Sequence, residues 1–178
     1  MPRLNVIKVG DATGKVKEMY DSVSESVGMV PNLLKGLANS PVALQACLAL
    51  DDLISEGKLA DVEQEMVRLV ISQFLGCEYC LAFHTMVAKT IGLAEEQILD
   101  IRRGRSDDPK SAALIVFTHR VLETEGLVDD VDIATFRAAG YTDAHIAEVI
   151  TIIAMQTLTS YFSNVNDTEL DFPKAPDI

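Results

Sequence analysis

The chain has 178 residues, is 48% apolar with no tryptophan, and carries 27 acidic against 15 basic residues for a formal net charge of −12. That length suits one domain able to bury about two thirds of its unfolded surface, and few aromatic residues beside many Ala, Leu, Ile and Val favour packed helices over sheets. The acidic balance repels phosphate backbones and anionic lipid, so neither nucleic acid nor a membrane is expected as a partner.

Helix punctuation recurs in chain order. Thr13 can cap a helix from Gly14 to about Val27, where Val16, Met19, Tyr20, Val23 and Val27 follow the helical period. Pro31 restarts the chain into "PNLLKGLAN", and Ser40 with Pro41 opens "VALQACLALDDLIS". Asp61 opens "VEQEMVRLVISQFL", Gly76 interrupts it, and "CEYCLAFHTMVAKTI" runs on to Gly92. "AEEQILDIRR" stops at Gly104, and Asp108 with Pro109 opens "KSAALIVFTHRVLETE" before Gly126. Asp130 opens "VDIATFRAA" before Gly140, and Thr142 caps a last long helix to about Asn164. No stretch alternates long enough to be a strand. The expectation is an all-α single domain over residues 1–178 with eight or nine helices and an extended or mobile tail, "DFPKAPDI".

The N-terminus has no apolar run of signal-peptide length. The most apolar later segment, "IAEVITIIAMQTL", is broken by Glu148 and Gln156 and reads as a buried helix rather than a span. The expected compartment is the cytoplasm, where thiols rest reduced and a close cysteine pair points to catalysis or metal binding rather than a staple.

An internal echo links two segments. "EMVRLVISQFLGCEYCLAFHT", from Glu65, lies over "EVITIIAMQTLTSYFSNVNDT", from Glu148, so that Glu65 meets Glu148 and Tyr79 meets Phe162. Cys77, Cys80 and His84 then meet Ser160, Ser163 and Asp167. This divides the chain into a motif-bearing half, about 41–104, and a degenerate half, about 108–170, whose polar residues read as relics.

The chemistry concentrates in "GCEYCLAFHT". Cys77 and Cys80 are three apart and Cys80 and His84 four apart, which on a helix places all three on one face. A helix starting near Cys77 favours a thiolate in its first turn, and an imidazole one turn later can take a thiol proton. Glu65, on the preceding helix, can be folded back by the break at Gly76 to orient His84. At the same spacing Glu65 neighbours Leu69, beside the apolar Met66 and Val70, whereas Glu63 shares that side less well. Three readings stay open on the residues alone: a redox pair, a zinc clip using both thiols with His84 and Glu65, or inert core thiols. Cys47 reads as a small core residue, and His119 and His145 as packing residues. Tyr79 and Phe83 can line a pocket or the core, and the stripe Ile146, Val149, Ile150, Ile153 and Ala154 suits either a core or a subunit interface.

The pattern Glu65–x11–Cys77–x2–Cys80–x3–His84 resembles the signature of the AhpD-like alkylhydroperoxidases of the carboxymuconolactone decarboxylase superfamily, closely over about residues 55–95. The all-helical reading, the degenerate second half and the "DFP" tail are similar to its peroxidase-related members. The resemblance implies a cysteine-dependent reduction of peroxide without metal, haem or other cofactor, in protomers assembled as trimers or hexamers. It implies that Cys80 attacks peroxide, Cys77 resolves, and Glu65 and His84 relay protons. It also implies that an outside thiol or dithiol, on a protein or of lipoyl type, restores the pair. One departure is Tyr79, where well-studied members carry a histidine between the cysteines. Two rivals remain, a zinc-clipped or redox-sensing interaction module and a lactone decarboxylase that retains the pair.

Overall fold

The computed structural model describes residues 1–178: a short 3-10 turn at Val9–Asp11, nine α-helices and no strand. The helices are α1 (Gly14–Val27), α2 (Asn32–Leu37), α3 (Pro41–Ser55), α4 (Asp61–Phe74), α5 (Glu78–Thr90), α6 (Glu95–Arg102), α7 (Pro109–Glu123), α8 (Asp130–Ala138) and α9 (Asp143–Asn166). Their starts follow local chemistry. Ser40 Oγ accepts from Ala43 N at 3.3 Å and Asp108 Oδ2 from Ser111 N at 2.8 Å, each ahead of a proline in the first turn. Thr142 does not accept from the first turn as a capping hydroxyl would. There His145 reaches back instead, its Nδ1 accepting from Thr142 N at 3.0 Å.

Helix α4 is the hub, packed against α5, α6, α7 and α9. Its apolar residues were expected to mark one buried side, but every residue from 64 to 72 is buried. The reason is that two clusters sandwich it. Val67 and Ile71 face a large core shared with α1, α2, α3 and α9, while Met66, Leu69 and Val70 face Ile98, Ile101 and Ile115 of α6 and α7. A helix enclosed on all sides needs no amphipathic stripe.

The 24-residue α9 is long and apolar enough, by length and composition, to cross a membrane. It instead packs among α2, α3, α4, α5 and α7. Its buried side changes character along its length, from Val149, Ile152 and Met155 to Gln156, Thr159, Ser160, Ser163 and Asn166. The apolar stripe read from the sequence divides: Val149 is buried, Ile146 and Ile153 are half-buried, and Ile150 and Ala154 are exposed.

The tail is extended, as expected, but docked. Asp171 accepts from Asn32 N at 2.6 Å and from Tyr79 Oη at 2.8 Å, Phe172 is buried against Tyr79 and Phe83, and Arg102 Nη1 donates to Pro176 O at 2.6 Å. Phe172→Ala should therefore lower the unfolding free energy by about 3 kcal/mol in urea titrations. An unchanged midpoint would mean that the tail contributes nothing to the fold.

Candidate active site

The site begins with how α4 ends. Cys77 N donates to Ser72 O at 3.0 Å and Gly76 N to Gln73 O at 3.2 Å, the paired bonds of a helix closed by a left-handed residue. Gly76 supplies that residue, with φ +62°. Cys77 then serves at once as the last residue of this closure and the N-cap of α5, its Sγ accepting from Cys80 N at 3.1 Å. The break anticipated at Gly76 is thus a single-residue pivot.

Cys77 and Cys80 are joined as a disulfide, with Cα atoms 5.3 Å apart. The two sulfurs have different surroundings. Cys77 is wholly buried, whereas Cys80 lines a cavity of about 420 Å3 together with His84, Phe83, Tyr79, Met155 and Phe172. On its far side Cys80 Sγ lies 3.4 Å from Ser160 Oγ of α9.

Glu65 and His84, nineteen residues apart, meet as anticipated, with Glu65 Oε2 2.9 Å from His84 Nδ1. Both are buried, at 8% and 3% exposure. With Nδ1 engaged by the carboxylate, Nε2 is the ring nitrogen free to exchange a proton. A third charge was not anticipated. Arg68, one turn along α4 and 7% exposed, places Nε 3.5 Å from Glu65 Oε1 and donates from Nη1 to Asp51 Oδ1 at 2.8 Å. The 3.5 Å approach is an ion pair without hydrogen-bond alignment, as Nε has no bonded partner. The spacing of Glu65 and Arg68, three apart on a helix whose apolar side was read as lying beside Glu65, was the available signal.

The other candidates fall elsewhere. Glu63 points away from the site and accepts from Lys110, Ala60 N and Tyr141. Burial would raise its pKa, but these bonds outweigh it and hold the carboxyl below its ordinary value. Tyr79 bonds the tail, and burial, with help from Asp171, raises its pKa and holds the phenol protonated. Cys47 is a buried member of the main core, as expected. It lines the same cavity, yet burial, then Asp51, pushes its thiol up to about 12. His119 stacks edge-on against Phe74. Of the echo residues, Ser160 reaches Cys80, Ser163 Oγ is buried without a partner, and Asp167 is an exposed C-cap. Glu148 accepts from Lys58 N and Leu59 N, closing the loop before α4. No three His, Cys, Asp or Glu side chains converge as a metal-ligand set.

Residues 41–123, which hold Cys77, Cys80, His84 and Glu65, match the carboxymuconolactone decarboxylase family. No curated protein matches the chain. Among solved structures, an AhpD core described as a peroxidase-related protein from Ralstonia eutropha JMP134 is similar, with a TM-score of 0.87, 22% identity and coverage of 96% of this chain and 92% of that one. A peroxidase-related protein from Silicibacter sp. TM1040 has a TM-score of 0.80 at 20% identity, covering 95% and 94%. The debrominase Bmp8, in complex with 2,3,4-tribromopyrrole as a cysteine-to-alanine variant, has a TM-score of 0.80 at 15% identity, covering 96% and 92%. At such identities the likeness is one of fold. The family match thus covers residues 41–123, and the chain as a whole has the AhpD-like helical fold.

Two outcomes test this geometry. In reduced, folded protein at pH 8, Cys47 should hold about 1,000-fold less thiolate than a free cysteine, since its pKa is moved from 9.0 to about 12, and should resist iodoacetamide until the chain unfolds. The sign follows from burial of a group that is neutral when protonated. Its stability contribution is full below pH 9.0 and is withdrawn as pH rises to about 12. Arg68→Ala, which leaves Glu65 buried without its cation, should cost about 3 kcal/mol by chemical denaturation. A cost within error of zero would remove Arg68 from the network.

Proposed function

We propose that the protein is a thiol-dependent peroxide reductase with an antioxidant role, working through a Cys77–Cys80 disulfide cycle. The observation that carries this reading is the asymmetry of the two sulfurs. Cys80 faces a cavity beside an imidazole held by a buried carboxylate, and Cys77 is enclosed at a helix start. Cys80 thiolate attacks the nearer peroxide oxygen, the O–O bond breaks, and the leaving alkoxide takes a proton from His84. Cys80 is then a sulfenic acid. Cys77, whose thiolate is favoured by the Cys80 N–H and the helix dipole, attacks that sulfur, and hydroxide leaves as water once protonated. An outside dithiol then takes the disulfide back to two thiols and is itself oxidised. Glu65 keeps His84 oriented through its bond to Nδ1, leaving Nε2 toward the exchanged proton.

A cavity of about 420 Å3 lined by Val23, Leu34, Leu48, Phe83 and Phe172 suits an organic hydroperoxide better than hydrogen peroxide. The exposed Ile150, Leu158, Tyr161 and Val165, along one side of α9, support assembly as a homo-oligomer, a trimer or hexamer on the family's pattern. The acidic charge and the thiol cycle suit the cytoplasm.

Cys80→Ser should abolish consumption of cumene hydroperoxide, and Cys77→Ser should give one turnover per chain and stop. Glu65→Ala and His84→Ala should each slow the attack about 100-fold. One equivalent of peroxide should remove two of the three free thiols of the reduced chain, sparing Cys47. Undiminished steady-state turnover in Cys77→Ser would overturn the resolving step, and undiminished turnover in Cys80→Ser the whole reading.

A further inference from the structure

We infer that Ser160, in the helix opposite the cysteine pair, is a positioning residue that lowers the thiolate pKa of Cys80 by donating its hydroxyl to the sulfur. This deepens the reading above, since it names what tunes the attacking thiol.

The threonine hydroxyls of α9 supply the contrast. A buried or half-buried serine or threonine in a helix ordinarily returns its proton to the carbonyl one turn back. Thr151 does so to Ala147 O at 2.9 Å, Thr157 to Ile153 O at 2.7 Å, and Thr159 to Met155 O at 3.3 Å. Ser160 does not. Its hydroxyl, at 0% exposure, has Cys80 Sγ at 3.4 Å as its one hydrogen-bond partner. A buried hydroxyl turned from the backbone toward a sulfur has given up its ordinary acceptor, and that sulfur is what satisfies it.

A disulfide sulfur and a thiolate have no proton to give, so in both states Ser160 is the donor. In the reduced protein the bond is weak to the neutral thiol and charge-assisted to the thiolate, and that difference lowers the thiol pKa. The other ionisable groups around Cys80 are Cys77 and His84 on α5, Glu65 and Arg68 on α4, Cys47, Asp51 and Asp52 on α3, and Tyr79 with Asp171 of the tail. Glu65 is answered by His84 and Arg68, and Asp51 by Arg68. From α9 itself only neutral groups come to this region: Met155, Gln156 and Thr159 line the cavity, and Ser160 reaches the sulfur. Ser160 is thus the donor placed on Cys80 from outside the cysteine-bearing helix. In the sequence echo it is also the counterpart of Cys77, so the degenerate half supplies a hydroxyl to the sulfur where the other half supplies a thiol.

The test is the pH dependence of iodoacetamide alkylation at Cys80 in the reduced full-length chain, resolved from Cys77 and Cys47 by peptide mass spectrometry. Ser160→Ala should raise the Cys80 pKa by about 1 unit, about tenfold less thiolate at any pH below both values. Ser160→Thr, which keeps the hydroxyl, should restore the wild-type value. Ser163→Ala, one turn on, should leave it unmoved. If Ser160→Ala does not fold, Ser160→Thr and Ser160→Val, equal in size and differing in the hydroxyl, make the same comparison. A wild-type Cys80 pKa in folded Ser160→Ala, or equal values in the Thr and Val variants, overturns the inference. The titration needs no peroxide, so it stands or falls separately from the peroxidase reading.

Discussion

A carboxylate in the middle of a helix enclosed on every side is the constraint on which the rest of this site depends. Glu65 sits among residues that are buried without exception from 64 to 72. Removing a carboxylate from water costs several kcal/mol unless charges or donors replace the lost hydration. Two groups do so, from different elements. His84 comes from α5 at 2.9 Å, and Arg68 comes from α4 itself with Asp51 of α3 behind it. The relative placement of α3, α4 and α5 is therefore tied to one buried charge, and the imidazole that satisfies this charge is the one presented to the cavity. Satisfaction of the buried charge and orientation of the imidazole are met by the same bond.

The second requirement is that α5 begin where it does. Gly76 takes the left-handed turn that closes α4, and Cys77 becomes the cap of the next helix within one residue. A cysteine at that position accepts a backbone N–H through its sulfur, the environment that favours a thiolate. In the second segment of the echo, Thr159 stands where Gly76 would, and α9 runs through without a break. An uninterrupted helix offers no capping position there, so that segment cannot present a side chain in the same electrostatic setting. It contributes instead a small polar face, Gln156, Thr159, Ser160 and Ser163, from which Gln156 donates to Ser72 of α4 and Ser160 reaches Cys80 of α5.

Tyr79 ties the cysteine-bearing turn to the tail. The side chain between the two cysteines turns toward the tail, where its hydroxyl donates to Asp171 and accepts from Leu33 N at 3.2 Å. The same tail places Phe172 against Tyr79 and Phe83, so a terminal segment forms part of the cavity wall. The cavity's remaining charges lie on α3 and α4, where Asp51 and Arg68 already answer each other. The space beside Cys80 is left mainly apolar.

The boundaries of the helices were legible in the sequence because they are set by local chemistry: proline after a capping serine or aspartate, glycine after the last turn. So was the pairing of Glu65 with His84, since spacing on two consecutive helices joined by a sharp turn leaves few alternatives. Three features were not legible, and each arises from contacts between segments far apart in the chain. Arg68 carries no signal of its own in the sequence, and its role appears only when α3 brings Asp51 to it. The tail reads as loose until Asp171 and Phe172 find Asn32 and Tyr79. Ser160 reads as a relic until α9 crosses α5 at the height of Cys80. Local sequence determined the helices, their caps and the reactive turn; only tertiary packing decided which sulfur faces the cavity, because burial is a property of what surrounds a residue and not of the residue itself.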